Sequence, residues 1–278
     1  MNSRQLTDFL KQLNRVVSTP GSREKLLGHK IPPKNKVLLS FGQASSPLLR
    51  KRVNILVWNM YKAKKRGWAE DLISLASNKD IILLQEACLR PVMKNLIART
   101  SLFQWDLAQG FQRGKKKVAT GVMTGSITRP REVFFLRSPD REPLVKTPKM
   151  AIGTTYQIKN SNRRLLVLNV HGINFVTLKK FKNHMMQLEM EMAGHKGPII
   201  MGGDFNTWIP KRTDCLATMA DNLGLQLLDL SPDNRSRHLG RILDHVFIRD
   251  LKVISAACHP EVKSSDHQPI EIALELNC

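Results

Sequence analysis

Apolar residues in this chain come in short runs that stop abruptly at polar ones. The runs at 53–58, 81–85, 119–124, 151–158, 165–170, 198–201, 243–248 and 269–276 read as strands. Longer stretches with apolar residues three and four apart, at 69–77, 89–99, 178–193 and 213–223, read as helices. Some strands follow one another directly and others are separated by a helix. That mixture predicts an α+β layered sandwich rather than a purely parallel sheet. No internal repeat or low-complexity block interrupts it.

The first fifty residues have a different texture. Leu6, Phe9, Leu10, Leu13, Val16 and Val17 fall at helical spacing, so an amphipathic helix is expected over 5–17. Ser18-Thr-Pro-Gly-Ser22 ends it, and Pro32-Pro33 forbids regular structure soon after. The predicted division is a basic N-terminal extension over 1–51, with ten basic and two acidic side chains, and one large domain over 52–278.

Composition adds one strong constraint. With 42% hydrophobic and 24% charged residues, a folded core is affordable in size and global disorder is excluded. The 44 Lys and Arg against 23 Asp and Glu leave a formal charge of +21. Such an excess attracts polyanions, either nucleic acid or an anionic phospholipid surface. Cys88, Cys215, Cys258 and Cys278 show no metal-binding spacing and no disulfide framework. The N-terminus lacks a secretory apolar core, and no stretch approaches the roughly 18 apolar residues of a membrane span. A cytoplasmic location is therefore expected.

Chemistry-bearing side chains recur where the apolar runs end: Asn59, Gln85-Glu86, His171, Asp204 with Asn206 after Gly202-Gly203, Asp244, and Ser265-Asp266-His267. Burying such groups unpaired is costly, so their repetition at strand ends points to one shared cleft. In this order they resemble the motifs of the endonuclease/exonuclease/phosphatase superfamily, which contains deoxyribonuclease I, the apurinic endonucleases, neutral sphingomyelinases and inositol-polyphosphate 5-phosphatases. The match runs from Val53 to the C-terminus.

The resemblance implies a deoxyribonuclease I-like, four-layer sandwich in which two mixed sheets are flanked by helices. It implies metal-dependent hydrolysis of phosphodiesters by an activated water. Glu86 suits a hard cation, Mg²⁺ or alternatively Mn²⁺, and Asn59 and Asp266 join it in the metal set. Asp204 and Asn206 lie opposite, orienting water or contacting phosphate. His267 is the candidate general base, with Asp244 fixing its tautomer, and Asp204 is the rival for that role. His171 meets the phosphate from the other side, and Lys149 is a candidate phosphate contact. Arg113, Lys115-Lys-Lys117 and the helix lysines Lys179, Lys180 and Lys182 are candidates for following a nucleic-acid backbone. The remaining histidines, His29, His184, His195, His238, His245 and His259, are read as structural or solvent-facing.

Two departures bear on substrate. Neither Tyr61 nor Tyr156 matches the mid-chain tyrosine of the apurinic endonucleases, and His245 stands where an aromatic residue is common. The segment Arg241-Ile-Leu-Asp244-His245 also lacks the pattern of the inositol phosphatases. A nuclease acting on DNA or RNA is the leading expectation, and a sphingomyelinase-like phosphodiesterase is the alternative.

Overall fold

The computed structural model describes residues 29–100 and 102–277. Its strands are β1 (Leu38–Gly42), β2 (Arg52–Asn59), β3 (Ile81–Cys88), β4 (Gln104–Arg113), β5 (Val118–Ser126), β6 (Glu132–Arg137), β7 (Met150–Gln157), β8 (Arg164–His171), β9 (Ile199–Asp204), β10 (Gln226–Leu227), β11 (Arg237–His238), β12 (Arg241–Ile242), β13 (Asp244–Arg249), β14 (Leu251–Cys258) and β15 (Ile270–Leu276). The helices are α1 (Trp68–Ala76), α2 (Pro91–Arg99), α3 (Leu178–Ala193) and α4 (Pro210–Asn222).

A seven-stranded sheet runs β1-β4-β5-β3-β2-β15-β14, and a six-stranded sheet runs β10-β13-β9-β8-β7-β6. Both are mixed. The parallel pairs β2–β3 and β8–β9 are each joined through a helix, α1 and α3 respectively, as parallel neighbours require. The molecule is a four-layer α+β sandwich, as the resemblance implied.

Side-chain alternation explains the layering. Val53, Ile55 and Val57 of β2 and Ile81 and Leu83 of β3 face the other sheet, where they meet Leu165, Val167, Ile200, Val246 and Ile248. Leu56, Trp58, Ile82 and Leu84 face the opposite way, onto Trp68 and Leu72 of α1 and Met93 and Leu96 of α2. In the second sheet Leu166, Leu168 and Met201 pack on Phe181 and Met185 of α3 and Leu216 of α4. A central strand covered on both faces must be apolar at successive positions, which is why these segments read as unbroken runs. Each fully buried aliphatic side chain contributes about 1.5–3 kcal/mol of transfer free energy.

The strands absent from the sequence reading lie where one face is polar or the edge is exposed. In β4, Trp105 and Leu107 enter the helix-facing core, while Asp106 is buried on the other face, accepting hydrogen bonds from Ser40 Oγ (2.5 Å) and Gln104 Nε2 (3.0 Å). Edge strand β14 is exposed over most of its length. The chain before Arg52 also contributes to the first sheet. Residues 38–42 form edge strand β1 on β4, and Leu49, fully buried, bridges to Ile158. The chain before Arg52 hides this because Pro32-Pro33 and the short run at 38–42 lack a periodic face. The helix expected over 5–17 lies outside the described residues. No helix among the described residues is long and apolar enough to cross a membrane.

Candidate active site

Strand register delivers the polar side chains to one place. In the second sheet His171 at the end of β8 pairs with Asp204 at the end of β9, which pairs with Asp244 at the start of β13. In the first sheet the ends of β2 and β3 set Asn59 beside Gln85. The two sheets meet through Asn59, whose Nδ2 donates to Asp204 Oδ2 at 2.9 Å. Beneath them Gln85 Nε2 donates to Asn169 Oδ1 at 2.8 Å, so the interior amides also span the layer. Gly203 makes the close approach possible: its φ is +144°, and a Cβ there would lie 1.9 Å from the Val170 carbonyl oxygen.

Glu86 is aimed by a break in the ladder. The register of β3 against β5 shifts between Leu84 and Ala87, and Glu86 itself has φ +54°. Such a bulge re-aims a side chain that would otherwise follow the pleat. Three consecutive left-handed residues, Tyr61, Lys62 and Ala63 (φ 49°, 57° and 53°), form the turn after β2. That turn is held by the Tyr61 N–H donating to Asn59 Oδ1 (3.1 Å) and by the Met60 N–H donating to the Gln85 carbonyl (3.0 Å). It carries Lys62 onto Glu86, with Nζ 2.6 Å from both carboxylate oxygens.

A cavity of about 500 Å³ is lined by Asn59, Glu86, Lys149, His171, Asp204, Asn206, Asp266 and His267, all anticipated from the sequence. Asp244 sits buried behind His267, its Oδ2 2.7 Å from Nδ1 of that imidazole. The His267 backbone N–H donates to Ser265 Oγ (3.2 Å), and its carbonyl receives the Trp58 indole N–H (3.1 Å). Asn206 is fixed by its backbone N–H on Asp204 Oδ1 (2.9 Å) and its Nδ2 on the Gly172 carbonyl (3.0 Å). Asp266 stands exposed at the rim.

Charge is unevenly shared among these groups. Burial opposes a proton on His267, but the Asp244 carboxylate, its hydrogen bond and the Asp204 and Asp266 charges outweigh it and push the pKa up to about 10. Asp204 is raised by burial, with His267 opposing and Asp244 reinforcing the shift. His171 goes the other way: burial, then the Lys149 charge, hold it well below its ordinary value. Lys149 Nζ lies 2.8 Å from His171 Nε2, so that nitrogen is the acceptor and its 3.5 Å approach to Asp204 is not an ion pair. Burial raises the Glu86 carboxyl, but the charges of Lys62 and Lys149 prevail and keep it ionised.

Among the described residues no three His, Cys, Asp or Glu side chains cluster tightly enough to hold a metal alone. A hard cation would instead draw on Glu86, the Asn59 amide oxygen, Asp266 and water. That all-oxygen donor set suits Mg²⁺. The ammonium of Lys62 on both Glu86 oxygens shows this carboxylate already disposed to receive a cation.

Several participants escaped the sequence reading. Lys62 and Glu142 line the cavity, and Glu142 accepts from the Asn174 N–H at 3.1 Å and lies 3.5 Å from Lys149. Arg212 on α4 is fully buried beneath the site, donating to the carbonyls of Asn206 (3.0 Å) and Val176 (2.9 Å). His184 on α3 is buried too, accepting the Ile173 N–H at 3.2 Å, with a pKa pushed down to about 4 by burial. His29 lines the cavity, whereas Tyr156 lies in the core between the sheets. Lys62, Glu142 and Arg212 do not sit at the end of an apolar run, so no local pattern marks them. Asp244 pairs with His267, and Arg249 donates to the carbonyls of Leu223 (3.0 Å) and Gly197 (3.0 Å). Cys88, Cys215 and Cys258 are free thiols.

Comparison with known proteins bears on the family and the fold. The model of the Endonuclease/Exonuclease/phosphatase family matches residues 56–267. A UPF0294 protein of Vibrio campbellii is 34% identical over 227 residues, 81% of this chain and 78% of that protein. Among solved structures, the endonuclease/exonuclease/phosphatase from Beutenbergia cavernae is similar with a TM-score of 0.60 and 16% identity, over 82% of this chain and 72% of that one. D. rerio TDP2 complexed with single strand DNA product is similar with a TM-score of 0.59 and 13% identity, over 81% of this chain and 99% of that one.

Proposed function

The chain belongs to the endonuclease/exonuclease/phosphatase family, and on that premise we propose that it is a Mg²⁺-dependent phosphodiesterase whose substrate is nucleic acid. The observation that carries this reading is the convergence of Asn59, Asp204 and the Asp244–His267 pair on one cavity wall facing Glu86. Phosphodiester hydrolysis needs an oriented water, positive charge on the phosphoryl oxygens and help for the departing oxygen.

The proposed roles follow from position. Glu86, Asn59 and Asp266 would hold a Mg²⁺ ion, which would supply Lewis-acid charge to a phosphoryl oxygen. His267, with Nδ1 committed to Asp244, presents Nε2 toward the cavity as a donor to the phosphate. Asp204 Oδ2, between Asn59 and the two imidazoles, is the acceptor for the proton of the attacking water. Lys149 and Asn206 contact the remaining phosphate oxygens. Lys62, which holds Glu86 and lines the cavity, would add a further positive charge for the substrate.

Nucleic acid is favoured by charge. The formal +21 is accompanied at the cavity by Lys62, Lys64, Arg113 and Lys149, and Lys115, Lys116 and Lys117 are exposed in the adjoining turn. D. rerio TDP2 was determined with a single-strand DNA product, and the same class of ligand is proposed here on this chain's own charges.

The test is a substrate panel with purified protein and Mg²⁺ or Mn²⁺: plasmid, single- and double-stranded oligonucleotides, abasic duplex, sphingomyelin and inositol phosphates. Cleavage of a nucleic acid that stops on chelation is expected. Turnover of sphingomyelin alone would move the protein to the lipid branch.

A further inference from the structure

The catalytic groups use only one end of the cavity. The other end is walled by His29, Phe111, Arg113, Val122, Val145 and Met150, and no step of hydrolysis requires them. The His29 and Phe111 rings lie with centroids 4.7 Å apart at 56°, forming a tilted aromatic corner that lines the cavity. Burial lowers the His29 pKa, so its ring is neutral at ordinary pH.

This wall is built deliberately into the sheet. The β4–β5 register shifts between Gln109 and Phe111, a second bulge beside the one that aims Glu86. At the bulge, a Cβ on Gly110 would lie 3.0 Å from Met150 Cγ and 3.2 Å from the Pro148 carbonyl. A methyl there would make Met150 or the segment 148–150 give by a few tenths of an ångström. That segment carries Lys149 into the catalytic end and Met150 into the apolar end, so the two ends are one residue apart.

Two polar atoms in this wall lack partners. His29 Nδ1 and Arg113 Nη1 are buried and make no hydrogen bond among the described residues. Buried polar groups are nearly always satisfied, and leaving one unmade is costly. A ligand seated on this wall would therefore meet the apolar surface of Phe111 and Val145 and the His29 ring, since neither buried atom has exposed surface to offer it. Its seat is part of a cavity of about 500 Å³. That is within the roughly 300–1,000 Å³ of small-molecule pockets.

We propose that this apolar end seats the base of the nucleotide that carries the scissile phosphate, so that the substrate is engaged through an unpaired base, at a strand end or in a single strand. The inference rests on the phosphodiesterase reading for the position of the phosphate and adds the substrate class. A base in a duplex presents its edge to its partner and its faces to its neighbours, and neither arrangement can enter this corner.

Two p-nitrophenyl esters of matched leaving group test it: that of thymidine 5′-monophosphate and that of the abasic deoxyribose 5′-phosphate. Base–aromatic stacking predicts a KM for the thymidine ester lower by roughly 5- to 100-fold. Phe111→Ala should collapse the KM ratio to near one, and Phe111→Trp should keep it. Equal KM values for the wild-type protein, or a ratio that survives Phe111→Ala, overturn the proposal and leave the phosphodiesterase reading standing. Should neither ester be hydrolysed, the phosphodiesterase reading is left to the nucleic-acid panel, and calorimetry decides the seat separately. Thymidine 5′-monophosphate must then bind at least tenfold more tightly than deoxyribose 5′-phosphate, and equal binding overturns the seat as well.

Discussion

At one end of the cavity, Asp204, Asp244, His171 and His267 lie locked in a buried lattice of hydrogen bonds, while at the other, His29, Phe111 and Val145 are half-buried and hold little but one another. Both ends use the same device, a bulge against β5. The difference lies in what stands behind each. Behind the catalytic end every side chain has a support: Asp244 for His267, Asn59 for Asp204, Lys149 for His171. The apolar end relies on shape. Chemistry that moves protons needs groups fixed in angle, whereas recognition of a flat ring needs only a surface at the right depth.

That contrast can be broken most severely at Glu86. Glu86→Ala should lower turnover by about 10⁴-fold or more, and should remove any rise in melting temperature on adding Mg²⁺. Retained Mg²⁺ stabilisation would show that the cation is held elsewhere. Next, His267→Ala should cost about 10²–10⁴-fold in kcat. Asp244→Asn should follow it closely, because the imidazole loses the carboxylate that orients it. An Asp244→Asn loss below tenfold would separate the pair that the 2.7 Å contact joins.

A milder perturbation joins the two ends. Gly110→Ala places a methyl 3.0 Å from Met150 Cγ and pushes on the segment bearing Lys149. A displacement of a few tenths of an ångström should lower kcat/KM about tenfold, measured on any active nucleic-acid substrate. No change would show that the segment yields freely.

A further effect is on stability. His184 is neutral in the fold, with its pKa lowered to about 4 by burial, against 6.5 when exposed. The unfolded chain therefore binds the proton more readily. The contribution is complete above pH 6.5 and is lost as pH falls from there through 4, up to about 3 kcal/mol. Urea unfolding at pH 7.5 and pH 4.5 should show less acid sensitivity for His184→Asn than for the wild type. An identical pH dependence would place the acid-labile contact elsewhere.

Legibility in the sequence followed burial. Strands β2, β3, β8 and β9 announced themselves because both faces are covered, and their polar ends, Asn59, Glu86, His171 and Asp204, stood out against that background. Strand β4 did not, because Asp106 and Gln109 are buried polar residues that interrupt its apolar pattern. Strands β1 and β14 did not, because an edge needs no strict alternation. At the site, Lys62 and Arg212 were invisible for a different reason. Their partners, Glu86 and the carbonyls of Val176 and Asn206, are fixed by tertiary contact, and nothing at adjacent positions records it. Asp244 was legible only through its family motif, since one acid at a strand start has many ordinary uses.

The left-handed turn at Tyr61, Lys62 and Ala63 has a practical corollary. L-residues resist that conformation by about 1–2 kcal/mol each, and glycine does not. Anyone selecting hardier versions of this protein by heat would be drawn to glycine at Lys62 or Ala63. The first of those exchanges would yield a tougher molecule with a blunted tool, because the ammonium delivered by the contorted backbone would be gone.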